Sequence, residues 1–349
     1  MTQPTLPPSP WTQQDQESAL SALDRAPELR IMVVGDLMVD QYLLGGVDRI
    51  SPEAPVPILR ATERDRRPGG AANVALNLRA LGCKVTLSGI IGDDEIGQHL
   101  LANLENSGID NPGIVAHPGR PTTLKTRIMS GGQHLLRVDE EVDTDLSHAD
   151  SQPLLSSIKT CLDAQPHDAI LLEDYDKGAL SPDVIAGILE EAKKRAIPVS
   201  VDPKFRHFDL FQGVSLFKPN LKELKEGLGL QWEVDDHAAK MKGIEDGLTA
   251  LEQSIQPDAI LLTLSELGVR IRFSGHDIHH PAHPREILDV SGAGDTVIAV
   301  ATLLLACGVS PSALAAVSNL SGGLVCEKPG VVPIDPNLLR QAILRLPIG

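Results

Sequence analysis

The chain has 349 residues, 31 Lys and Arg against 47 Asp and Glu, a formal net charge of −16 and 42% apolar residues. That length can bury a large core in one α/β domain and still leave room for a small accessory element. The acidic balance argues against generic binding to nucleic acid or to anionic membranes, so an anionic ligand would need a local basic pocket.

Residues 1–17 are rich in Pro, Gln and Ser, and 1–27 read as a mobile tail with room for a short helix. No apolar segment of signal-peptide or membrane-span length precedes the first strand. From residue 28 to 345 short β-rich runs alternate with helical patterns. The runs are Ile31 to Val34, Val85 to Ile91, Ala169 to Glu173, Pro198 to Val201, Leu216 to Lys218 and Ala259 to Leu264. Between several of them lie helical stretches such as Ile96 to Glu105 and Val184 to Arg195. This order predicts a mainly parallel sheet with helices on both faces and ligands gathered at the strand ends. Two regions break the rhythm: one within 42–62, notably Val56 to Thr62, and Thr122 to Asp139 with its Ser130-Gly131-Gly132 turn. Both read as a hairpin-rich accessory sheet, or lid.

Other features carry less. Cys83, Cys161, Cys307 and Cys326 form no C-x-x-C pair, which fits reduced thiols in a cytosolic protein better than disulfides or zinc. His276, His279, His280 and His283 are interrupted by Gly275 and Pro281 and lack one-face spacing, so a polar loop is expected there rather than a metal site. There is no internal repeat.

Two glycine-led segments carry the chemistry. In Pro68-Gly69-Gly70-Ala71-Ala72-Asn73, the glycines precede a helical pattern of Val74, Ala75, Leu78 and Leu81 that stops at Gly82. Asn73 falls in the first turn, where its amide can either read a polyol or simply cap the helix. Near the C-terminus, Asp289-Val290-Ser291-Gly292-Ala293-Gly294-Asp295 opens an apolar helix, Val297 to Cys307, ending at Gly308. The bare amides of Gly292, Ala293 and Gly294 and the positive end of the helix suit phosphate, while Asp295 sits where a base would take a proton from an attacking hydroxyl. The plainer reading is a Gly-rich turn capped by Asp295. The pairing with the first segment favours phosphoryl transfer.

Together the two segments resemble the paired signatures of the PfkB, or ribokinase-like, carbohydrate kinases. The resemblance narrows at Val33-Val34-Gly35-Asp36-Leu37-Met38-Val39-Asp40-Gln41-Tyr42 and at Arg49-Ile50-Ser51-Pro52-Glu53-Ala54-Pro55-Val56-Pro57, which look like segments of bacterial heptose 7-phosphate kinases. Further correspondence runs through Lys125 to Ile128, Gln133 to Asp139, Asp174 to Gly178 and Asn220 to Glu223, about residue 28 to residue 340 in all. One departure is Ser291, where Thr is common; the hydroxyl is kept.

The resemblance implies a three-layer α/β sandwich with a small β lid that covers the sugar and packs against its copy in a homodimer. It implies ATP, Mg2+ and, as an optional activator, K+. By carry-over, Asp36 and Asp40 bind sugar hydroxyls beside Gly69, Gly70 and Asn73, and Asp295 is the base over the Gly292 to Gly294 amides. Asn220 and Glu223 match N-x-x-E, with Glu223 organising Mg2+ through water. Thr263, Glu266 and Gly268 correspond to the nucleotide loop, and Asn319 lines the adenine pocket or is an ordinary helix residue. For a second phosphate the basic candidates are Arg49, Arg66, Arg67, Lys125, Arg127, Arg137 and Lys177, of which Arg127 and Lys177 are preferred. The expected reaction is phosphorylation of the anomeric hydroxyl of D-glycero-β-D-manno-heptose 7-phosphate in the cytoplasm, feeding ADP-heptose for lipopolysaccharide or related glycans. In that family the kinase stands alone or precedes an adenylyltransferase domain, and this length leads us to expect the kinase alone. The rivals are a PfkB-type kinase for fructose 1-phosphate or ribose, and a silent sugar or nucleotide sensor. A dehydrogenase is disfavoured because Val34-Gly35-Asp36-Leu37 lacks G-x-G-x-x-G.

Overall fold

The computed structural model describes residues 11–231, 237–283 and 285–348. In chain order its strands are β1 Arg30–Ile50, β2 Pro57–Gly70, β3 Lys84–Gly92, β4 Asp110–His117, β5 Thr123–Ser130 and β6 Gln133–Glu140. They continue with β7 Ala169–Glu173, β8 Val199–Asp202, β9 Leu216–Phe217, β10 Ala259–Thr263, β11 Val269–Phe273 and β12 His276–His280. The main sheet runs β12-β11-β10-β9-β8-β7-β1-β3-β4. Its pairs from β4 to β10 are parallel, and β11 and β12 add an antiparallel edge.

Side chains alternate across a strand, so a sheet covered on both faces needs apolar residues at consecutive positions. In β1, Ile31 and Val33 enter one core while Met32 and Val34 enter the other. The first core is closed by helices that include Ala71–Ala80, Ala293–Ala306 and Pro311–Cys326; the second by His148–Ala164, Pro182–Arg195 and His237–Ile255. The fold is the expected ribokinase-like α/β sandwich. Helix Ala293–Ala306 is apolar nearly all round, which suits a position buried between neighbouring helices.

The lid grows from the main sheet without a break. Arg30 to Asp36 of β1 pair with β3, and Leu37 to Ile50 pair with β2; β5 joins β1 in parallel and β6 joins β5. Asp36 and Asp40 therefore lie inside one long strand rather than after a short one. Polar residues break the apolar run there, so the strand's length is hidden in the sequence. The Ser130-Gly131-Gly132 turn joins β5 to β6, with Gly131 and Gly132 at φ of +57° and +80°.

Two other expectations are corrected. The mobile tail contains a helix, Gln13–Arg25, capped by Thr12 and packed through Ala19, Ala22 and Leu23 into the first core; residues 1–10 lie outside the described residues. The histidine segment is a strand, not a loop: His276–His280 pairs with β11, and the Gly275 that seemed to interrupt it supplies the turn between them at φ +77°. The cysteines are free thiols. Among the described residues no helix is long and apolar enough to cross a membrane.

Candidate active site

Parallel strands end in the same direction, so residues just past β7, β8, β9 and β10 converge on one rim. A cleft of about 910 Å³ opens there, floored by Asp202, Lys218 and Asp295. All six residues assigned to nucleotide, Asn220, Glu223, Thr263, Glu266, Gly268 and Asn319, line it, as do Gly292, Ala293 and Gly294.

Asp295 is the third residue of helix Ala293–Ala306 and is buried at 5% exposure. Its Oδ2 accepts from Asn73 Nδ2 at 2.7 Å and its Oδ1 from the Tyr175 hydroxyl at 2.9 Å. Burial raises its pKa, opposed by those two hydrogen bonds and by the charges of Lys218 and Lys204. Gly292 caps the helix at φ +77°, and a Cβ there would lie 2.9 Å from Asn73 Nδ2, so backbone angle and space both call for glycine. Asn73 reaches Asp295 because helix Ala71–Ala80 starts directly at Gly70, the end of β2. It is a partner of the acid, not merely a helix cap.

Asn220 and Glu223 form a capping box at helix Leu221–Gly227: each side chain accepts from the other's backbone N–H at 2.8 Å. The second oxygen of Glu223 meets Lys204. Its carboxylate is thus partly committed, yet it still lines the cleft. Asn319 donates to the carbonyls of Pro281 at 2.8 Å and His280 at 3.4 Å, so its amide holds the cleft wall.

The sugar-side assignments divide. Asp40 is buried and ion-paired to Arg127, and it presses on Gly69, where a Cβ would lie 2.4 Å from Asp40 Oδ2. Arg127 and Arg67 stack on Tyr42, with their guanidinium carbons 5.4 and 5.2 Å from the ring centre. Burial works against the Arg127 charge, but Asp40 outweighs it and raises the Arg127 pKa. Asp36 is a loop anchor rather than a ligand contact: its oxygens accept from the backbone N–H groups of Tyr175, Lys177 and Ala179 at 2.8, 3.0 and 3.0 Å. Lys177 turns its ammonium to Glu141 at 2.8 Å, and Lys125 takes the other Glu141 oxygen at 2.6 Å. Lys177 is therefore neutralised within the lid root, and Arg127 with Arg67 is the better basic pair. Arg137 is bound to Asp139, and Arg49 is exposed.

Several residues of the site had no role in the sequence reading. Lys218 binds Asp202 at 2.9 Å, and Lys204 lies 4.8 Å over the Tyr175 ring. Burial pushes Asp202 up to about 6, with Lys218 pulling the other way. Glu173, Asp202 and Asp295 each bring an oxygen within 4.8 Å of the others. Burial, then the charges of Asp202 and Asp295, push Glu173 well above the carboxylate range. A signal for these did exist: each polar residue follows an apolar run at the end of a parallel strand.

Comparison with known proteins agrees with this geometry. The model for "pfkB family carbohydrate kinase" matches residues 28–337. The bifunctional protein HldE of Trichlorobacter lovleyi is 38% identical over 330 residues, 94% of this chain and 66% of that protein. The HldE of Magnetococcus marinus is 41% identical over 318 residues, 90% of this chain and 64% of that protein. The chain thus spans just under two thirds of these curated relatives. Among solved structures, phosphofructokinase-2 of Escherichia coli in complex with substrates and products shares the fold, with a TM-score of 0.74 at 19% identity over 91% of this chain and 100% of that one. The chain belongs to the pfkB family of carbohydrate kinases, phosphotransferases whose acceptor is a hydroxyl group.

Proposed function

We propose that the protein transfers the γ-phosphoryl group of ATP to the anomeric 1-hydroxyl of D-glycero-β-D-manno-heptose 7-phosphate, giving the 1,7-bisphosphate for ADP-heptose synthesis. The observation that carries the transfer is Asp295, buried at a helix N-terminus on the cleft floor and held by Asn73 and Tyr175. The heptose rests on the segments shared with heptose 7-phosphate kinases and on the similarity to HldE proteins over most of this chain.

In this reading ATP lies against Asn220, Thr263, Glu266, Gly268 and Asn319, and Lys204 and Lys218 meet phosphate charge. Sugar hydroxyls contact Asp40 and the Gly69 to Asn73 segment, and the sugar's own phosphate meets Arg127 and Arg67. Asp295 takes the proton from the 1-hydroxyl as that oxygen attacks in line, and the Gly292, Ala293 and Gly294 amides stabilise the charge spreading over the transferring group.

A kinase of this family takes a divalent metal with its ATP. Mg2+ is the metal here, with K+ as a further activator. The residues fit a hard cation: Glu223 offers a carboxylate at the cleft, and Glu173 has two buried oxygens without hydrogen-bond partners. When bound, Mg2+ neutralises charge on the phosphates. The enzyme works in the cytoplasm, where ATP is supplied, as a homodimer joined through the lid. Support for the dimer comes from β6, exposed along its length and carrying Leu135, Leu136 and Val138.

The test is ADP release by purified protein with Mg-ATP and heptose 7-phosphate, fructose 1-phosphate, fructose 6-phosphate, ribose or no sugar, with the new phosphate located by NMR. Turnover only with the heptose, at position 1, is expected. Preference for another sugar would overturn the substrate and leave the phosphoryl-transfer site standing. Inertness with every sugar despite ATP binding would favour a sensing role.

A further inference from the structure

Glu173 closes β7 and lies in register with Asp202 at the end of β8, so the two neighbouring carboxylates project on one face of the sheet. Asp295 approaches the same face from its helix, and one oxygen of each residue lies within 4.8 Å of the other two. Two oxygens on one hard divalent cation are at most roughly 4–5 Å apart, so this spread matches a shared ion.

The side chain of Glu173 sets this cluster apart from an ordinary acidic patch. It is 0% exposed, and neither carboxylate oxygen has a hydrogen-bond partner. A buried polar group without a partner is costly, and two such oxygens on one carboxylate call for a cation or proton. The surroundings favour a cation. Asp202 and Asp295 face Glu173, and Glu223 lies behind Lys204, so four carboxylates meet two ammonium groups, Lys204 and Lys218. The excess equals the charge of one divalent ion. Both oxygens of Asp295 are already engaged by Asn73 and Tyr175, which makes Glu173 and Asp202 the principal donors.

We propose that Glu173 and Asp202 hold a hard divalent cation at the cleft floor before any nucleotide arrives. The ion would be a resident of the protein, separate from the one carried in by ATP. It would set the charge against which Asp295 and the incoming phosphates are placed. The inference rests on this cleft being the phosphoryl-transfer site but not on which sugar is phosphorylated.

The experiment is a Mn2+ titration of the full chain without nucleotide or sugar, read by the loss of the free-ion EPR signal. Wild type is expected to bind one Mn2+ per chain at this site. Glu173→Gln and Asp202→Asn should each weaken that binding about tenfold or more, whereas Glu141→Gln, at the lid root, should leave it unchanged. A rise in Tm with Mn2+ that wild type shows and Glu173→Gln lacks is the second readout, and it also establishes that the variant folds. Absence of Mn2+ binding to wild type without nucleotide would overturn the proposal, leaving Glu173 as a buried neutral acid. Equal affinity in wild type and folded Glu173→Gln would overturn it too. Because neither sugar nor nucleotide is present, failure here leaves the substrate assignment untouched, and an inactive heptose assay leaves the metal site untouched.

Discussion

Asp295 can act as a base because its neighbours restrain it from two sides. Asn73 and Tyr175 fix both oxygens, while burial keeps its affinity for a proton above that of a solvated carboxylate. Asp295→Asn keeps the shape and removes the basicity, so kcat should fall at least about a hundredfold while equilibrium ATP binding persists. Near-normal turnover in that variant would remove Asp295 from the role. Arg127 acts on the other side of the reacting centre. Arg127→Ala should raise KM for the phosphorylated sugar more than KM for ATP, and equal rises would point instead to a damaged lid, since Asp40 loses its ion-pair partner. At this scale the sequence was readable where chemistry leaves a local mark. Asp295 and Asn73 each follow glycines at a helix start. Lys218, Asp202 and Tyr175 carry no such mark, because their neighbours in space come from other strands. For the same reason Asp36 and Lys177 were misassigned: nothing local shows that their partners are the Tyr175 to Ala179 amides and Glu141.

Between elements, Asn77 joins three parts of the site. Its Oδ1 accepts from the Thr296 hydroxyl at 3.0 Å and from the Ile334 N–H at 2.9 Å, and its Nδ2 donates to the Asn73 carbonyl at 2.9 Å. Asn77→Ala strands a buried backbone donor and should cost about 3 kcal/mol in urea unfolding. A cost below about 0.5 kcal/mol would show that the network relaxes without it. At the far edge, Arg270 and Arg272 of β11 share Asp277 of β12 and Glu245 of helix His237–Ile255. Burial works upward on Asp277, but hydrogen bonds from the two arginines outweigh it and lower its pKa. A carboxylate depressed in the fold adds stability above its unfolded pKa, about 3.9, and loses it as pH falls through the folded value. Asp277→Asn should therefore lower stability by about 1–2 kcal/mol at pH 7, and the gap should shrink below about pH 4. A gap independent of pH would assign the loss to packing. Elements with an unbroken apolar run, such as β7, were legible to the residue. The second half of β1 was not, because Asp36, Asp40 and Gln41 are buried polar groups whose partners lie in β5 and in the Tyr175 to Ala179 loop.

For the whole molecule, the lid leaves apolar side chains uncovered on β6, and Leu136 is 58% exposed. If the lid pairs with its copy, Leu136→Asp should convert a dimer to a monomer in light scattering, and a wild-type monomer at assay concentration would sink that arrangement. The sequence by itself determined the α/β class, the kinase signatures and the order of the main strands. Those properties rest on periodicity and on turns formed within a few residues. Only the tertiary structure decided that β1 runs through both sheets, that Gln13–Arg25 packs on the core, and which charges neutralise one another. Ion pairs and buried carboxylate clusters join residues tens to hundreds of positions apart, such as Asn73 with Asp295 and Glu173 with Asp202. Such pairings exist only once the sheet has brought its strand ends to a common rim.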